Sequence, residues 1–339
     1  MVKIITKELL AKEAPFATVA DQSFELNKHL RIVEQGRDRT VVEFIGTDDF
    51  GSQWYDRQRY EVDAGRESEP LLYQPLYLET TDPSFPRNVT VYRVGPGAVV
   101  FEEIYEGGEV KFVTVGESNY SVQMHHYAVG LEYNKDLVMF NEMWELPIIE
   151  RQAGVAFNAL KNHIHLNPFI AYSYGSANQT AASSVGSSLP EKYLRTLEDA
   201  ITNSVNDTTN PRRGPYWLLT NTSNLFTWER ALNRVPQQGF DLQSSAMNMI
   251  QGIIAYNGWT GTRGKKSVTY DGVASNKAYL IDVGNRMRNQ RSYIKQDLQS
   301  TMGNPDVSRF ILEQVIWDTY FTMYVDIPAC AEEVTLPTS

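Results

Sequence analysis

One cysteine, Cys330, and five histidines are all that 339 residues offer for thiol or soft-metal chemistry. A lone thiol forms no intramolecular disulfide and fits a reducing compartment. Its place near the end of the sequence reads as packed rather than activated. His29, His125, His126, His163 and His165 show no ligand spacing. Two residues apart on a helix, His163 and His165 point about 200° from one another and cannot share a metal. All five read as ordinary surface or core histidines. Nowhere do about 18 apolar residues run together, which excludes a helical membrane span. The opening MVKIITKELLAKEAPFATVA lacks the apolar centre of a signal peptide. Basic charge is scarce as well: 31 lysines and arginines against 41 acids leave a net charge of −10. That balance excludes a protein whose affinity comes from neutralising phosphates along its whole surface.

Catalytic signatures are missing too. Gly264-Lys265 is followed by Lys266 where a phosphate-binding loop needs Ser or Thr, so GWTGTRGKKS reads as a mobile basic surface loop. Gly95-Pro-Gly97 has no third glycine and reads as a turn. No nucleophile elbow of the Gly-x-Ser-x-Gly type occurs. The adjacent acids Asp48-Asp49, Glu102-Glu103 and Glu332-Glu333 would point to opposite sides of a strand, the wrong geometry for a hydrolase pair. No cofactor, metal site or catalytic residue is expected.

What is present is one long helical pattern, Leu146 to Leu166, reading LPIIERQAGVAFNALKNHIHL. Ile149, Ala153, Ala156, Leu160 and Ile164 step by three or four, with Arg151, Asn158, Asn162 and His165 on the other face. Pro147 suits a first helical turn and Asn167-Pro168 a stop, giving a rod of roughly 30 Å. Ahead of it, from Trp54 to about Tyr120, aromatic and β-branched residues punctuated by Gly and Pro read as strands. The clearest is VVFEEIYEGGEVKFVTV, Val99 to Val115, whose Gly107-Gly108 suits a tight hairpin turn. Glu102, Glu103 and Lys111 among its charges make it a hairpin that projects from the body.

Further on, Pro190 opens a helix with Leu194, Leu197, Ile201 and Val205 on one stripe. Trp217-Leu-Leu reads as a strand, Phe226 to Leu232 as a helix, and Met247 to Tyr256 and Ala278 to Ile281 as strands. Asn304-Pro305-Asp306 marks a helix start, with Val307, Ile311 and Val315 along it, before an alternating strand around Phe321 to Ile327.

In this order the pieces resemble the major capsid proteins of tailed double-stranded-DNA bacteriophages, whose fold encapsulins share. The carriers are the Val99 to Val115 hairpin, HHYAVGLEYNKDLVMFNEM, the helix with its Asn-Pro, LPEKYLRTLEDAI, RGPYWLLTNTSNLFTWERAL, MNMIQGIIAYNGW, and the run from KAYLIDVGNRMRNQRSYIKQ to NPDVSRFILEQVIWDTYFTMYVDIPACAEE. They span roughly residues 90 to 330. The resemblance implies an α+β fold of the Hong Kong 97 type: an N-terminal arm (1–50), an extended β-hairpin loop region (51–119), a peripheral domain (120–189 and 286–330) around a spine helix (146–166), an axial domain (190–285) and a C-terminal tail (331–339).

It also implies function. The expected protein is no enzyme but a structural shell subunit that assembles with itself into pentamers and hexamers. The shell would enclose double-stranded DNA without sequence specificity, with scaffolding and portal proteins as partners and no membrane. It would lie in the virion capsid, after assembly in the host cytoplasm. Starting at Met1 with no leader, the chain suggests a separate scaffolding protein or none. Its assembly hairpin would carry Glu102, Glu103, Gly107, Gly108 and Lys111, and Ile149, Ala156, Leu160 and Ile164 would be the spine-helix core. An encapsulin-like compartment is the alternative with the same fold. A glycan-binding or hydrolytic protein would rest on the 19 tyrosines alone.

Overall fold

The computed structural model describes residues 47–93, 118–134, 146–232, 249–263, 266–303 and 311–338. The Val99 to Val115 hairpin, with Glu102, Glu103, Gly107, Gly108 and Lys111, lies outside the described residues. So do His29 and the proposed helix start at Asn304. Two compact units divide the chain, residues 1–60 and 61–339. Of the first unit only the opening of helix α1 (Thr47–Ser68) is described, and every later element belongs to the second.

Helix α1 corrects the strand reading of the Trp54 region. The aromatic residues there weigh toward β, but Arg66 in the last turn complements the negative end of the helix dipole. Strands β1 (Leu78–Thr81), β2 (Asn88–Arg93), β3 (Ser118–Gln123) and β4 (His125–Asn134) come after it. Helix α2 (Leu146–Ala171) is longer than its sequence signature. Pro168 does not stop it, since a proline this close to the C-terminal end removes one hydrogen bond and leaves a single turn to complete.

Next come β5 (Gln179–Thr180), α3 (Leu189–Asn206), β6 (Tyr216–Thr220), α4 (Leu225–Leu232) and β7 (Ile250–Ala255). The expected basic loop is instead an antiparallel ribbon, β8 (Gly258–Arg263) and β9 (Lys266–Asp271). Its positive-φ Gly258 lets the backbone turn sharply into the first strand. The chain closes with β10 (Lys277–Asp282), α5 (Arg286–Asn289), β11 (Gln290–Gly303), β12 (Ile311–Val325), α6 (Ile327–Cys330) and β13 (Ala331–Thr335). Ile311 and Val315, expected on a helix, lie on β12: its long β-branched and aromatic run pairs with strands on both sides, and that pairing decides its conformation.

Two larger sheets organise these elements. A four-stranded sheet runs β1-β11-β12-β4, parallel only at β1 and β11. A five-stranded sheet runs β5-β13-β10-β6-β7. Residues 331–335 are therefore no tail: β13 sits between β5 and β10. Two adjacent glutamates hid it, because buried carboxylates are costly unless paired. Both are paired. Glu332 accepts from Arg212 at 2.6 Å and from the Thr180 hydroxyl at 2.7 Å. Glu333, on the opposite face, accepts from Lys277 at 2.7 Å and from Gln179 at 2.7 Å. Burial raises the Glu332 carboxyl, against the pull of Thr180 and Arg212.

The core lies on both faces of this sheet. Leu197, Trp228, Leu218, Leu280 and Val334 fill the side under α3 and α4. Leu219, Tyr279 and Ile281 meet Leu166 and Phe169 of α2, with Tyr73 and Leu76, on the other. Cys330 is fully buried there, and burial pushes its thiol up, as expected of a packed rather than an activated cysteine. A smaller cluster seats the β2–β3 ribbon on the four-stranded sheet through Val89, Val91, Met124, Tyr293 and Tyr324.

Candidate functional site

The sequence marks α2 as the functional element, with an apolar face for the core. The structure reverses its faces. Ile149 is 46% exposed and Ile148 58%, while Ala156, Leu160 and Ile164 are only half-buried. Asn158, Asn162 and His165, on the face taken as outward, are buried, as is Lys161 beside them, and of that face Arg151 alone stays exposed. The physical reason lies in what the helix meets. Its polar face packs against chain whose backbone groups need partners, and amides supply them.

Upward from the N-terminal half, this polar seam begins at a close helix crossing. Gly65 of α1 and Gly154 of α2 each face the other helix's backbone, so that a Cβ on Gly65 would run into the Arg151 carbonyl and one on Gly154 into that of Val62. Arg151 reaches across to the buried carboxylate of Glu61 at 2.7 Å. One turn on, the Asn158 amide donates to the carbonyls of Arg66 (2.7 Å) and Glu69 (2.8 Å). These belong to the last turn of α1 and the residue just past it, where helix carbonyls lack internal partners, so α2 supplies a cap from outside. Asn162 continues the seam, donating to the Pro70 carbonyl at 2.9 Å and accepting from the Leu72 N–H at 2.8 Å.

Two groups then fasten α2 to the four-stranded sheet. The Lys161 ammonium lies 3.2 Å from Asp297, which also meets Arg66 at 3.1 Å. Register shifts in β11 on either side of Gln296 bring Asp297 to that position. Burial works against the Asp297 carboxylate, but Lys161 and Arg66 hold it below the usual range. His165 contacts the Ser292 hydroxyl at 2.9 Å and the Lys161 carbonyl at 2.8 Å, stacked on Tyr73 at 3.8 Å.

His163 points the other way, stacked on Tyr270 of the ribbon at 4.4 Å, with burial lowering its pKa. The two histidines are thus on separate surfaces. His125 and His126 are exposed on β4, and His126 stacks on Tyr320 at 4.1 Å near Asp318. Among the described residues no three His, Cys, Asp or Glu side chains gather to hold a metal. No described helix is long and apolar enough to cross a membrane.

The arrangement ties rigid elements together by dense, directional hydrogen bonding and leaves apolar side chains of α2 facing outward. Sequence reasoning missed the seam because amides and a histidine on one helix face carry the same signal as a solvated face. Their regular spacing over Asn158, Asn162 and His165 was the clue available.

No protein-family model matches the chain, and no curated protein matches it. Solved structures do. The virus-like particle from Pyrococcus furiosus aligns with TM-score 0.54 at 11% identity, covering 83% of this chain and 99% of that one. The capsid of Cyanophage P-SCSP1u aligns with TM-score 0.50 at 10% identity, covering 80% and 89%. The chain has the α+β, Hong Kong 97-type capsid fold. Both neighbours are shell proteins.

Proposed function

We propose that this protein is the major shell subunit of a phage-type icosahedral head. The observation that carries the reading is the match of 83% of the chain to almost the whole of a particle-forming protein. In this reading the protein is structural, not catalytic. Copies meet in pentamers and hexamers, and many modest contacts per subunit add up to a stable particle through multivalency.

The spine-helix seam stiffens each subunit, and the outward Ile148 and Ile149 are available to a neighbouring copy. The segment Val99 to Val115 serves as the hairpin that lies over that neighbour, with Glu102, Glu103, Gly107, Gly108 and Lys111 in it. Residues 190–285 act as the axial domain, 120–189 with 286–330 as the peripheral domain, and residues 1–50 as a reaching arm. A net charge of −10 suits enclosure of DNA that must slide inward rather than stick. Scaffolding and portal proteins are the further partners, and the virion capsid is the location.

Size-exclusion chromatography and negative-stain imaging of the purified chain, alone and with the proteins expressed beside it, test this. Regular particles are expected. A stable 38.5 kDa monomer at high concentration under every condition would overturn the reading. Particles that hold a protein cargo and no DNA would move it to the compartment class.

A further inference from the structure

We propose that His165 is an acid-operated release for the spine helix, freeing α2 from the four-stranded sheet when its ring takes up a proton. The inference concerns the subunit itself and does not depend on the shell reading.

Full burial of His165 and the lack of a nearby counter-ion among the described residues favour the neutral ring. A carbonyl can only accept, so Nδ1 must donate to the Lys161 carbonyl at 2.8 Å. That fixes Nε2 as the acceptor of the Ser292 hydroxyl at 2.9 Å on β11. Tyr73 stacks on one side at 3.8 Å and 10°, Tyr77 meets the ring edge-on at 5.0 Å, and Phe321 of β12 lies nearly parallel at 5.9 Å. His165 therefore touches helix, sheet and the segment after α1 at one point.

A proton on Nε2 turns that acceptor into a donor, so the Ser292 hydroxyl has to rotate to accept and its own hydrogen loses the ring as its partner. It also places a cation in a site whose charged neighbours give it no counter-ion. Lys161 on its own helix repels it; Asp297 on β11 is engaged with Lys161 and Arg66, and Glu79 with the Tyr73 hydroxyl at 2.6 Å. From β12 the facing group is the uncharged Phe321. The aromatic faces compensate a cation in part, but full burial outweighs them. Burial, first, and the Lys161 charge move the His165 pKa down to about 3, while the Lys161 carbonyl works the other way.

Acid therefore favours the open form. Between about pH 6.5 and 3 the opened seam binds a proton that the closed one refuses, so each pH unit below about 6.5 favours opening by up to about tenfold. Asp297, held below the ordinary carboxylate range, titrates beneath most of this window.

Hydrogen–deuterium exchange of the full chain tests the idea at pH 7.5, 6.5, 5.5 and 4.5, corrected for the intrinsic rate. Peptides covering 161–171 and 290–303 report the seam, and those covering 193–204 and 225–232, in the separate cluster around Leu197 and Trp228, serve as controls. Seam opening should rise about fiftyfold from pH 6.5 to 4.5 and the controls less than about threefold. His165→Gln should flatten the seam response, and Asp297→Asn should leave its slope in place. Equal rises in seam and control peptides of the unmodified protein would overturn the proposal even if His165→Gln failed to fold. So would a full acid response in His165→Gln, or one abolished by Asp297→Asn.

Discussion

Helices α2 and α3 show the same kind of periodicity, yet α3 buries an apolar stripe while α2 buries polar groups from Asn158 to His165 and reaches the apolar core through Leu166 and Phe169. In α3 the apolar stripe goes inward: Leu197 and Ala200 are fully buried and Ile201 nearly so, against Trp228 and the five-stranded sheet. In α2 the amide and charged face goes inward over Asn158 to His165, and Ile148 and Ile149 face out. The difference lies in what each helix packs on. A finished sheet presents side chains and has no backbone groups left to satisfy, so burying apolar area decides the orientation of α3. The end of α1 and residues 69–72 present unpaired carbonyls and an N–H, so hydrogen bonding decides that of α2. Where a helix meets main chain, a polar stripe is an inside face.

Substitutions on the two helices can break this contrast. The largest effect is expected at the helix crossing. Gly154→Ala places a methyl group on the Val62 carbonyl and should cost more than about 4 kcal/mol, despite alanine's better helix propensity. Chemical denaturation reads it, and a loss under about 1 kcal/mol would mean the helices can separate freely. On α3, Leu197→Ala should cost about 3 kcal/mol through an unfilled cavity beside Trp228.

Asn162→Leu on α2 is the sharper case, since a pattern-based reading would score it as neutral or favourable. It strands the Pro70 carbonyl and the Leu72 N–H in a buried site, and we expect a loss of about 2–3 kcal/mol. A stabilised Asn162→Leu variant would show that apolar area rules both helices. Ile149→Ser should be the mildest for the lone subunit, under about 0.5 kcal/mol by thermal melting. Under the shell reading it should lower the yield of particles. Shortening Glu102 to Val113 to a tight turn should act in the same sense, leaving the subunit folded and blocking assembly; normal particles would contradict that hairpin role.

The order of elements was legible because it rests on strong local signals. The Pro190 helix start, the Trp217 strand, the Leu225–Leu232 helix and the Ala278 strand stand where periodicity and punctuation placed them. Where the reading failed, tertiary partners decided. Nothing near Glu332-Glu333 in sequence reveals Arg212, more than a hundred residues away, or Lys277, so a core strand looked like a tail. The Trp54 region carries strand-like aromatics on a helix, and the basic Gly258 to Ser267 stretch forms a ribbon only by pairing with residues up to Asp271. The seam depended on carbonyls in another segment, which no helical wheel contains.

The position of β13 has a consequence for biosynthesis. It fills the slot between β10 and β5, and β5 is made some 150 residues earlier (331 minus 180). At ordinary translation speeds that gap lasts on the order of ten to thirty seconds. Until Ala331 to Thr335 emerges, Arg212 lacks its Glu332 partner and the sheet has an open seat beside β10. A chain cut short before this strand would lack both the Glu332 partner of Arg212 and the strand that joins β5 to β10.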